Sequence, residues 1–234
     1  MRENLLHQNL ERVRERIGAA ARRAGRRPEE ITLIAASKTH PAEAIRAAFG
    51  AGIRHFGENR VQEWEGKRPG LFELPARWHF IGHLQGNKAA RAARLFHSID
   101  SVHDLVLARK LDRARAEFNG EEKLRVLLEV GLAQEAAKSG VEVAELPRLA
   151  EAVAGLRHLT LAGLMCIPPY FDDAREARPY FRRLRELRDA LSRKQGLILP
   201  VLSMGMSHDF EVAIEEGATE VRIGTALFGA REMK

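Results

Sequence analysis

The chain has 234 residues, of which 45% are hydrophobic and 30% are charged, and its formal net charge is +6. This composition is sufficient for one sizeable hydrophobic core. The chain contains no apolar run of the roughly 18 residues that a transmembrane helix needs. Its single cysteine, Cys166, excludes an internal disulfide framework and any metal site built from several cysteines.

The excess of positive charge lies along predicted helices and is interleaved with glutamate, as in residues 182–188. Solvated helix faces give this pattern and no nucleic-acid-binding motif is present, so we predict no nucleic-acid partner. Residues 1–25 lack the apolar segment of a signal peptide and contain Glu3, Glu11 and Glu15, which are unusual in a transit peptide. We therefore predict a cytoplasmic protein without a membrane segment.

The hydrophobic pattern predicts an N-terminal amphipathic helix followed by alternating strands and helices. Leu6, Leu10, Val13 and Ile17 repeat at helical spacing within residues 3–25. Short apolar runs then predict strands at residues 31–37, 54–57, 78–81, 97–100, 123–130, 159–165, 198–203 and 220–223. Periodic segments between them predict helices at residues 41–51, 59–67, 87–95, 103–118, 143–155, 173–193 and 208–216, with a last turn at 225–229.

This alternation bears on the fold class. Regular βα alternation predicts a parallel sheet, and eight units in a chain of this length suit a closed (β/α)8 TIM barrel. The alternative is an open doubly wound sheet, but no GxGxxG motif follows the first strand. No linker or low-complexity segment divides the chain, so we predict a single α/β domain over residues 1–234, with the N-terminal helix added to the barrel.

Lys38 directly follows the first predicted strand and precedes Thr39, His40 and Pro41. The carboxyl end of such a strand is where α/β proteins bind ligands. A partly desolvated lysine there is suited to attack a carbonyl carbon and form a Schiff base. Lys38 is therefore the first candidate for a functional residue.

The loops after the seventh and eighth strands resemble a phosphate site. In TIM barrels these two loops bind phosphate through glycine amides, hydroxyl groups and the amino end of a short helix. The candidate ligands are Ser203, Gly205, Met206, Ser207, Gly224 and Thr225. Ser207 has an equally good structural interpretation as the N-cap of the helix that follows it.

A lysine and a phosphate pocket at one barrel mouth predict a ligand with both an aldehyde and a phosphate. Pyridoxal 5′-phosphate (PLP) fits, and so does a sugar phosphate in a Schiff-base aldolase. Arg222, on the eighth strand, could face the pyridine nitrogen of PLP and keep it unprotonated, which weakens the cofactor as an electron sink. The alternative is an ordinary ion pair between Arg222 and a carboxylate.

Six segments resemble those of the pyridoxal phosphate homeostasis proteins, the YggS/PROSC family. They are AASKTHP, FGENRVQE, WHFIGHLQGNK, KSG, GLMCIPP and LSMGMSHDFEVAIEEGATEVRIGTALFG. The resemblance covers residues 31–229, and the last segment is long and specific. Gly86 departs from the pattern, since a hydroxyl residue is expected there. The family is similar in fold to the barrel domain of bacterial alanine racemase.

The resemblance implies a PLP-binding protein that serves intracellular PLP homeostasis without an established catalytic reaction, and it implies no metal. It implies that Lys38 binds the cofactor as a Schiff base, that Asn59 lies near the ring substituents and that Arg222 faces the pyridine nitrogen. The remaining implied positions are the phosphate ligands Ser203, Gly224 and Thr225, the adjoining Met206 and Ser207, and the pocket residues His79 and Met165.

An amino-acid racemase is the main alternative, and it needs a second base beside Lys38. Related racemases take a tyrosine from a C-terminal β domain of a partner subunit. The chain ends at Lys234, so we expect that domain to be absent and the protein to be a monomer. Of the two tyrosines, Tyr170 could approach the mouth and Tyr180 is predicted to be in the core. As a PLP carrier, the protein would pass the cofactor to apo-enzymes, with the lysine relay candidates Lys88 and Lys138.

Overall fold

The computed structural model describes residues 2–118, 122–132 and 140–229. Eight parallel strands form a closed barrel with the order β4-β3-β2-β1-β9-β8-β7-β5, and a β4–β5 pairing closes the ring. Their bounds are β1 Thr32–Ala36, β2 His55–Glu58, β3 Arg77–Phe80, β4 Ser98–Val102, β5 Leu124–Gly131, β7 Leu159–Met165, β8 Val201–Met206 and β9 Glu220–Ile223. A two-residue strand, β6 (Val141–Glu142), pairs with the end of β5 outside the ring. The TIM-barrel prediction is confirmed, and the open sheet is wrong.

Helices surround the barrel, and α1 is the predicted addition at the N-terminus. Their bounds are α1 Arg2–Arg23, α2 Ala42–Gly50, α3 Val61–Lys67, α4 Ala89–Leu95, α5 Leu105–Glu117, α6 Leu146–Ala154, α7 Arg178–Gln195, α8 Phe210–Glu215 and α9 Thr225–Phe228. The predicted apolar stripe of α1 is buried. The Asn9 side chain of α1 donates a hydrogen bond to the Leu227 carbonyl of α9 over 3.0 Å. Within the described ranges, no helix has both the length and the apolarity that a bilayer crossing requires.

The two faces of each strand have different surroundings, because successive side chains of a strand alternate. On the outer face, Phe56 stacks on Trp78, and Trp78 packs on Trp64 of α3. On the inner face, a Cβ added to Gly57 would come within 2.7 Å of Ile81 and 3.2 Å of Ile34. The apolar core therefore lies mainly between the barrel wall and the helices, which leaves the barrel interior for polar groups.

Two sequence predictions fail near the C-terminus. The seventh barrel strand, predicted at 198–203, is β8 and lies three residues later. Ile198 is 86% exposed, and Pro200 cannot donate to a ladder, so the apolar run before Val201 is a connection. In α7, Tyr180 is half-buried and Phe181 takes the buried position. Tyr180 is therefore not a core residue.

Candidate functional site

Lys38 lies in a tight turn at the carboxyl end of β1, at the end of the barrel that we call the mouth. The turn closes with a hydrogen bond from the His40 amide to the Ser37 carbonyl over 3.1 Å. Lys38 is half-buried, as predicted for a lysine at this position. Thr39 has a φ of 68°, a backbone conformation that β-branched residues rarely adopt. The segment after β1 is therefore held in a strained conformation.

Arg222 lies on the inner face of β9 and is buried. Its guanidinium donates to the Ser203 hydroxyl over 2.8 Å and to the Cys166 carbonyl over 2.9 Å. Both partners are neutral, and the ion pairs of the described residues do not include Arg222. The alternative of an ordinary ion pair is wrong here. A buried guanidinium whose hydrogen-bond partners are neutral can donate to a ligand acceptor, and a pyridine nitrogen is one such acceptor.

Ser207 does not cap the helix that follows it. Its hydroxyl accepts hydrogen bonds from the backbone amides of Gly224 and Ala226, each over 3.2 Å. The N-cap of α8 is Asp209, whose carboxylate accepts the Met206 amide over 2.6 Å. The N-cap interpretation of Ser207 is therefore wrong. Two amides at the start of α9 instead converge on one oxygen atom, which is the geometry that a phosphate oxygen requires.

Gly205 shapes the loop between Ser203 and Ser207. Its φ is 90°, and an added Cβ would lie 2.6 Å from the Ala213 side chain. The pairing of β8 with β9 shifts register between Ser203 and Met206, as it does at a β-bulge. Glycine at this position therefore lets the chain turn sharply, and Ser207 reaches the end of β9.

The end of β9 brings the phosphate loop next to the Lys38 turn. β1 and β9 are paired neighbours, and a Cβ on Gly224 would lie 3.5 Å from the Ala36 side chain. Thr225 is exposed at the start of α9, and Met206 is 37% exposed. The aldehyde-binding and phosphate-binding candidates therefore occupy adjacent parts of one mouth.

Asn59 and Met165 lie at the carboxyl ends of other strands. Asn59 is half-buried beside Gly82, where an added Cβ would come within 2.6 Å of the Asn59 carbonyl oxygen. Met165 is fully buried and pairs in register with Ser203. Both are on the predicted side of the barrel. The contacts of the described residues do not join Asn59 to Arg222 or to Ser207.

His79 belongs to a different cluster, deeper in the barrel. Its ring nitrogens are 3.1 Å from Asp100 Oδ2 and 2.9 Å from His55 Nδ1. Arg125 extends into the same cluster, where its guanidinium is 2.7 Å from Glu220 Oε1 and 3.5 Å from Asp100 Oδ1. The structure thus places His79 in a buried hydrogen-bond network, which the strand pattern did not predict.

This network has strong internal electrostatics. Burial raises the pKa of Glu220, and the Asp100 carboxylate raises it further. Burial opposes ionisation of Asp100 too. The charges of His79 and Arg125 outweigh it, together with hydrogen bonds from His79 and Ser98, and the pKa of Asp100 is lowered. One ligand atom from each of His79, Asp100 and Glu220 lies within 4.8 Å of the others, as in a metal site. Because Arg125 already pairs with both carboxylates, we interpret the group as a structural network.

The other sequence candidates are more distant from the site or lie outside the description. Lys88 is half-buried in the loop after β3, and Lys138 lies outside the described residues. Tyr170 is 77% exposed, with its ring 5.3 Å from that of His208. Cys166, which the sequence analysis did not assign to the site, supplies a carbonyl to Arg222. Burial raises the pKa of its thiol to about 12 although the charge of Arg222 opposes this.

Comparisons with known proteins identify the family of the chain. The family described as "Alanine racemase, N-terminal domain" matches residues 8–232. The pyridoxal phosphate homeostasis protein of Aquifex aeolicus is 48% identical over 228 residues, covering 96% of this chain and 98% of that protein. Its Escherichia coli K12 counterpart is 45% identical over 238 residues, covering 98% of each.

Solved structures show the same relationship. PipY of Synechococcus elongatus PCC7942, solved with PLP bound, matches with a TM-score of 0.85 and 38% identity over 96% of this chain and 100% of that one. Alanine racemase of Clostridium difficile 630 matches with a TM-score of 0.75, but at 14% identity and over 58% of its own length, so it shows the fold alone. The chain therefore belongs to the pyridoxal phosphate homeostasis protein family, which shares the barrel of the alanine racemase N-terminal domain.

Proposed function

We propose that this chain, as a single cytoplasmic domain over residues 1–234, binds PLP reversibly and holds it for delivery to apo-enzymes without catalysing a reaction of its own. The observation that carries the proposal is the buried Arg222 guanidinium, which has two neutral partners and lies at the mouth that also contains Lys38. The PLP in the related PipY structure supports it.

The residues at the mouth match the functional groups of the cofactor. When bound, PLP supplies an aldehyde, and the Lys38 amine can attack the aldehyde carbon and form a Schiff base with loss of one water molecule. The proposed phosphate donors are the hydroxyls of Ser203 and Thr225 and the amides of Gly224 and Ala226. These amides donate to the Ser207 hydroxyl in the structure, and a phosphate oxygen would replace that hydroxyl as their acceptor. Asn59, Met165 and Met206 complete the proposed pocket. His79 is proposed to support the pocket from deeper in the barrel, through its hydrogen bonds to Asp100 and His55.

Arg222 favours holding over catalysis. Its side chain donates and cannot accept, so a pyridine nitrogen facing it stays unprotonated. An unprotonated ring stabilises a substrate carbanion poorly, which disfavours racemisation and similar reactions. A racemase also needs a second base. Tyr170 is directed to solvent beside His208, and Tyr180 packs on Phe171, so neither tyrosine is placed for that role among the described contacts.

Absorption spectroscopy with PLP tests the binding proposal. We expect a visible band on adding PLP, and borohydride reduction followed by peptide mass spectrometry should place the label on Lys38. Lys38→Ala should remove the band and the label. Lys88→Ala is the matched control, because Lys88 is a half-buried lysine on the same end of the barrel, and it should keep both. A label that persists in Lys38→Ala would refute the assignment.

A second experiment tests the absence of catalysis. The protein is incubated in deuterium oxide with alanine and a panel of other amino acids, and Cα exchange and stereoinversion are followed. We expect neither above the rate of free PLP. Exchange that depends on Lys38 would support the racemase-like alternative instead. Retro-aldol cleavage of a sugar phosphate without PLP would support the aldolase.

A further inference from the structure

Glu58, Glu63 and Lys67 form an ion cluster on the outer side of the barrel wall, which we call the clamp. Lys67 Nζ, at the end of α3, is 3.1 Å from Glu58 Oε1 and 2.6 Å from Glu63 Oε1. Glu58 is fully buried at the end of β2, and the Lys67 side chain is only 12% exposed. The cluster is thus a shielded ion network and not a surface pair, whose effect would be small.

Each member of the clamp binds the chain on one side of Lys38. The Ser37 hydroxyl donates to Glu58 Oε1 over 2.7 Å, and the Ser37 carbonyl accepts from Lys67 Nζ over 3.1 Å. The Thr39 amide donates to Glu63 Oε1 over 2.5 Å. The residue before Lys38 is therefore attached to Glu58 and Lys67, and the residue after it is attached to Glu63 of the same cluster.

The attached turn needs such support. A positive φ at the third position of a turn is characteristic of glycine, and Thr39 adopts it with a β-branched side chain. Strained backbone of this kind persists only when its surroundings enforce it. The Glu63 carboxylate supplies one enforcing contact at Thr39 itself. The ring of His40, stacked 4.4 Å from that of Phe228 of α9, supplies another.

The charges of the clamp are consistent with this role. Burial raises the pKa of Glu58, while Lys67 and the Ser37 hydroxyl oppose the rise. Burial also acts against ionisation of Glu63, but the hydrogen bonds from Lys67 and from the Thr39 amide outweigh it and lower the pKa. Glu63 is therefore held as an anion, which accepts a hydrogen bond from a backbone amide more strongly than a neutral carboxyl group does.

Alternation along the chain separates the clamp from the ligand side. Ile34 faces the barrel interior, so Ala36 follows it on the inner side, next to the turn that carries Lys38. Ser37 points the other way, to Glu58. The clamp can thus act on the lysine through the backbone of the turn while remaining outside the pocket.

We propose that Glu58, Glu63 and Lys67 are positioning residues that enforce the strained turn and thereby set the direction and reactivity of the Lys38 amine. This inference rests on the proposed role of Lys38 in binding PLP. The clamp does not touch the cofactor. Its effect is on where the amine lies before the cofactor arrives, so it can be measured without PLP.

The test uses two readouts on the full chain. The first is the rate at which acetic anhydride acetylates Lys38 in the protein without PLP, measured by mass spectrometry with Lys88 as the internal reference. The second is the rate at which borohydride-trapped PLP accumulates on Lys38. Losing hydrogen bonds to charged groups should lower both rates about ten-fold in Lys67→Met. Lys67→Arg keeps the positive charge and the hydrogen-bond donors, so both rates should stay close to those of the wild-type protein.

Three further variants make the test specific. Glu63→Gln removes the charge of a half-buried residue of the clamp and should lower both rates by a smaller factor than Lys67→Met does. Adding Thr39→Gly to Lys67→Met should recover part of the loss, because glycine adopts a positive φ without enforcement. Glu65→Gln is the matched control, since Glu65 lies on the same helix and pairs with Arg91 instead. It should leave both rates unchanged.

Unchanged Lys38 acetylation in folded Lys67→Met would overturn the inference, and so would an equal change in Glu65→Gln. If Lys67→Met does not fold by circular dichroism, Glu63→Gln decides the matter, and unchanged rates in that variant count against the clamp. If the wild-type protein traps no PLP on Lys38, the proposed function fails. The acetylation rates still decide whether the clamp positions the amine.

Discussion

Replacing Arg125 by methionine should destabilise the protein strongly, because it leaves two buried carboxylates without their shared cation. The guanidinium lies 2.7 Å from Glu220 Oε1 and 3.5 Å from Asp100 Oδ1, and it donates to the Ser98 hydroxyl over 2.9 Å. Glu220 Oε2 is already a buried oxygen without a hydrogen-bond partner among the described residues. Methionine keeps much of the volume of the side chain but none of these interactions.

The distances give the magnitude. With an effective dielectric constant of roughly 20, attraction over these distances amounts to about 6 and about 5 kcal/mol before the desolvation of the ions is subtracted. Removing one partner of a buried ion pair has a measured net effect of about 3–5 kcal/mol. For a chain of this size, that corresponds to a fall in the melting temperature of about 6–20 °C.

The sign of the pH dependence gives a sharper check. Without Arg125, the pKa of Glu220 should rise further above its value in the unfolded chain. The folded state then binds more protons than the unfolded state as the pH falls, so the variant should gain stability between pH 7 and pH 5. Neutralising the second carboxylate in Arg125→Met/Glu220→Gln should recover part of the loss at pH 7.

Urea unfolding followed by tryptophan fluorescence measures these free energies. A loss smaller than about 1 kcal/mol in Arg125→Met, or a double variant no more stable than the single one, would refute the argument. A chelator is the control for the metal-like spacing of His79, Asp100 and Glu220. It should leave the unfolding midpoint of the wild-type protein unchanged, and a lower midpoint would identify the cluster as a metal site.

Four further predictions concern other buried or half-buried groups of the barrel. Ser207→Ala leaves two amides without their acceptor and should lower the free energy of unfolding by about 1 kcal/mol in urea titrations. Cys166 should react with Ellman's reagent only after unfolding, because its thiol is buried and the pKa of the thiol is raised to about 12. A reaction of the folded protein at pH 8 would contradict this. Burial, with the charge of His79 next in importance, lowers the pKa of His55 from 6.5 to about 4, so below pH 6.5 the unfolded chain binds the extra proton and stability falls towards pH 4. His55→Asn should reduce this dependence of stability on pH in urea titrations. Gly205→Ala should lower the melting temperature in calorimetry, because the alanine Cβ would clash with Ala213 and the residue would have to adopt a strained positive φ.

Much of the fold was predictable because it depends on local patterns. Strand–helix alternation predicts the barrel, and the strand ends then place Lys38 and Gly224 at one mouth without any knowledge of contacts. Ser203, predicted as the last residue of its strand, instead lies inside β8. The exact limits of β8 were not predictable, since the apolar residues 197–199 resemble a strand as well as those from Val201 do. What separates them is the pairing with β7 and β9, which is a tertiary property.

The polar interior could not be derived in this way. Arg125 and Glu220 are 95 positions apart and meet only because the barrel closes. A single arginine or glutamate in an apolar strand gives no sign of its partner. The same holds for Ser207, whose two amide donors come from another loop, and for Glu58, which resembles an ordinary strand-end acid in the sequence.

Arg222 and the clamp together would let one barrel mouth bind a reactive aldehyde without catalysing a reaction on it. Arg222 would limit the electron-withdrawing power of the bound ring, which removes the main advantage of PLP as a catalyst. The clamp would keep the Lys38 amine in place through backbone strain on the opposite side of the wall, so the amine is positioned for capture while the pocket stays open to an incoming amine. Such a site favours reversible exchange, because the energy that orients the lysine is supplied by the protein and does not have to be recovered from contacts with the cofactor. Weakening the clamp should therefore slow capture and leave the retention of already reduced cofactor unaffected, whereas changing Arg222 should alter the spectrum of the bound cofactor without slowing capture.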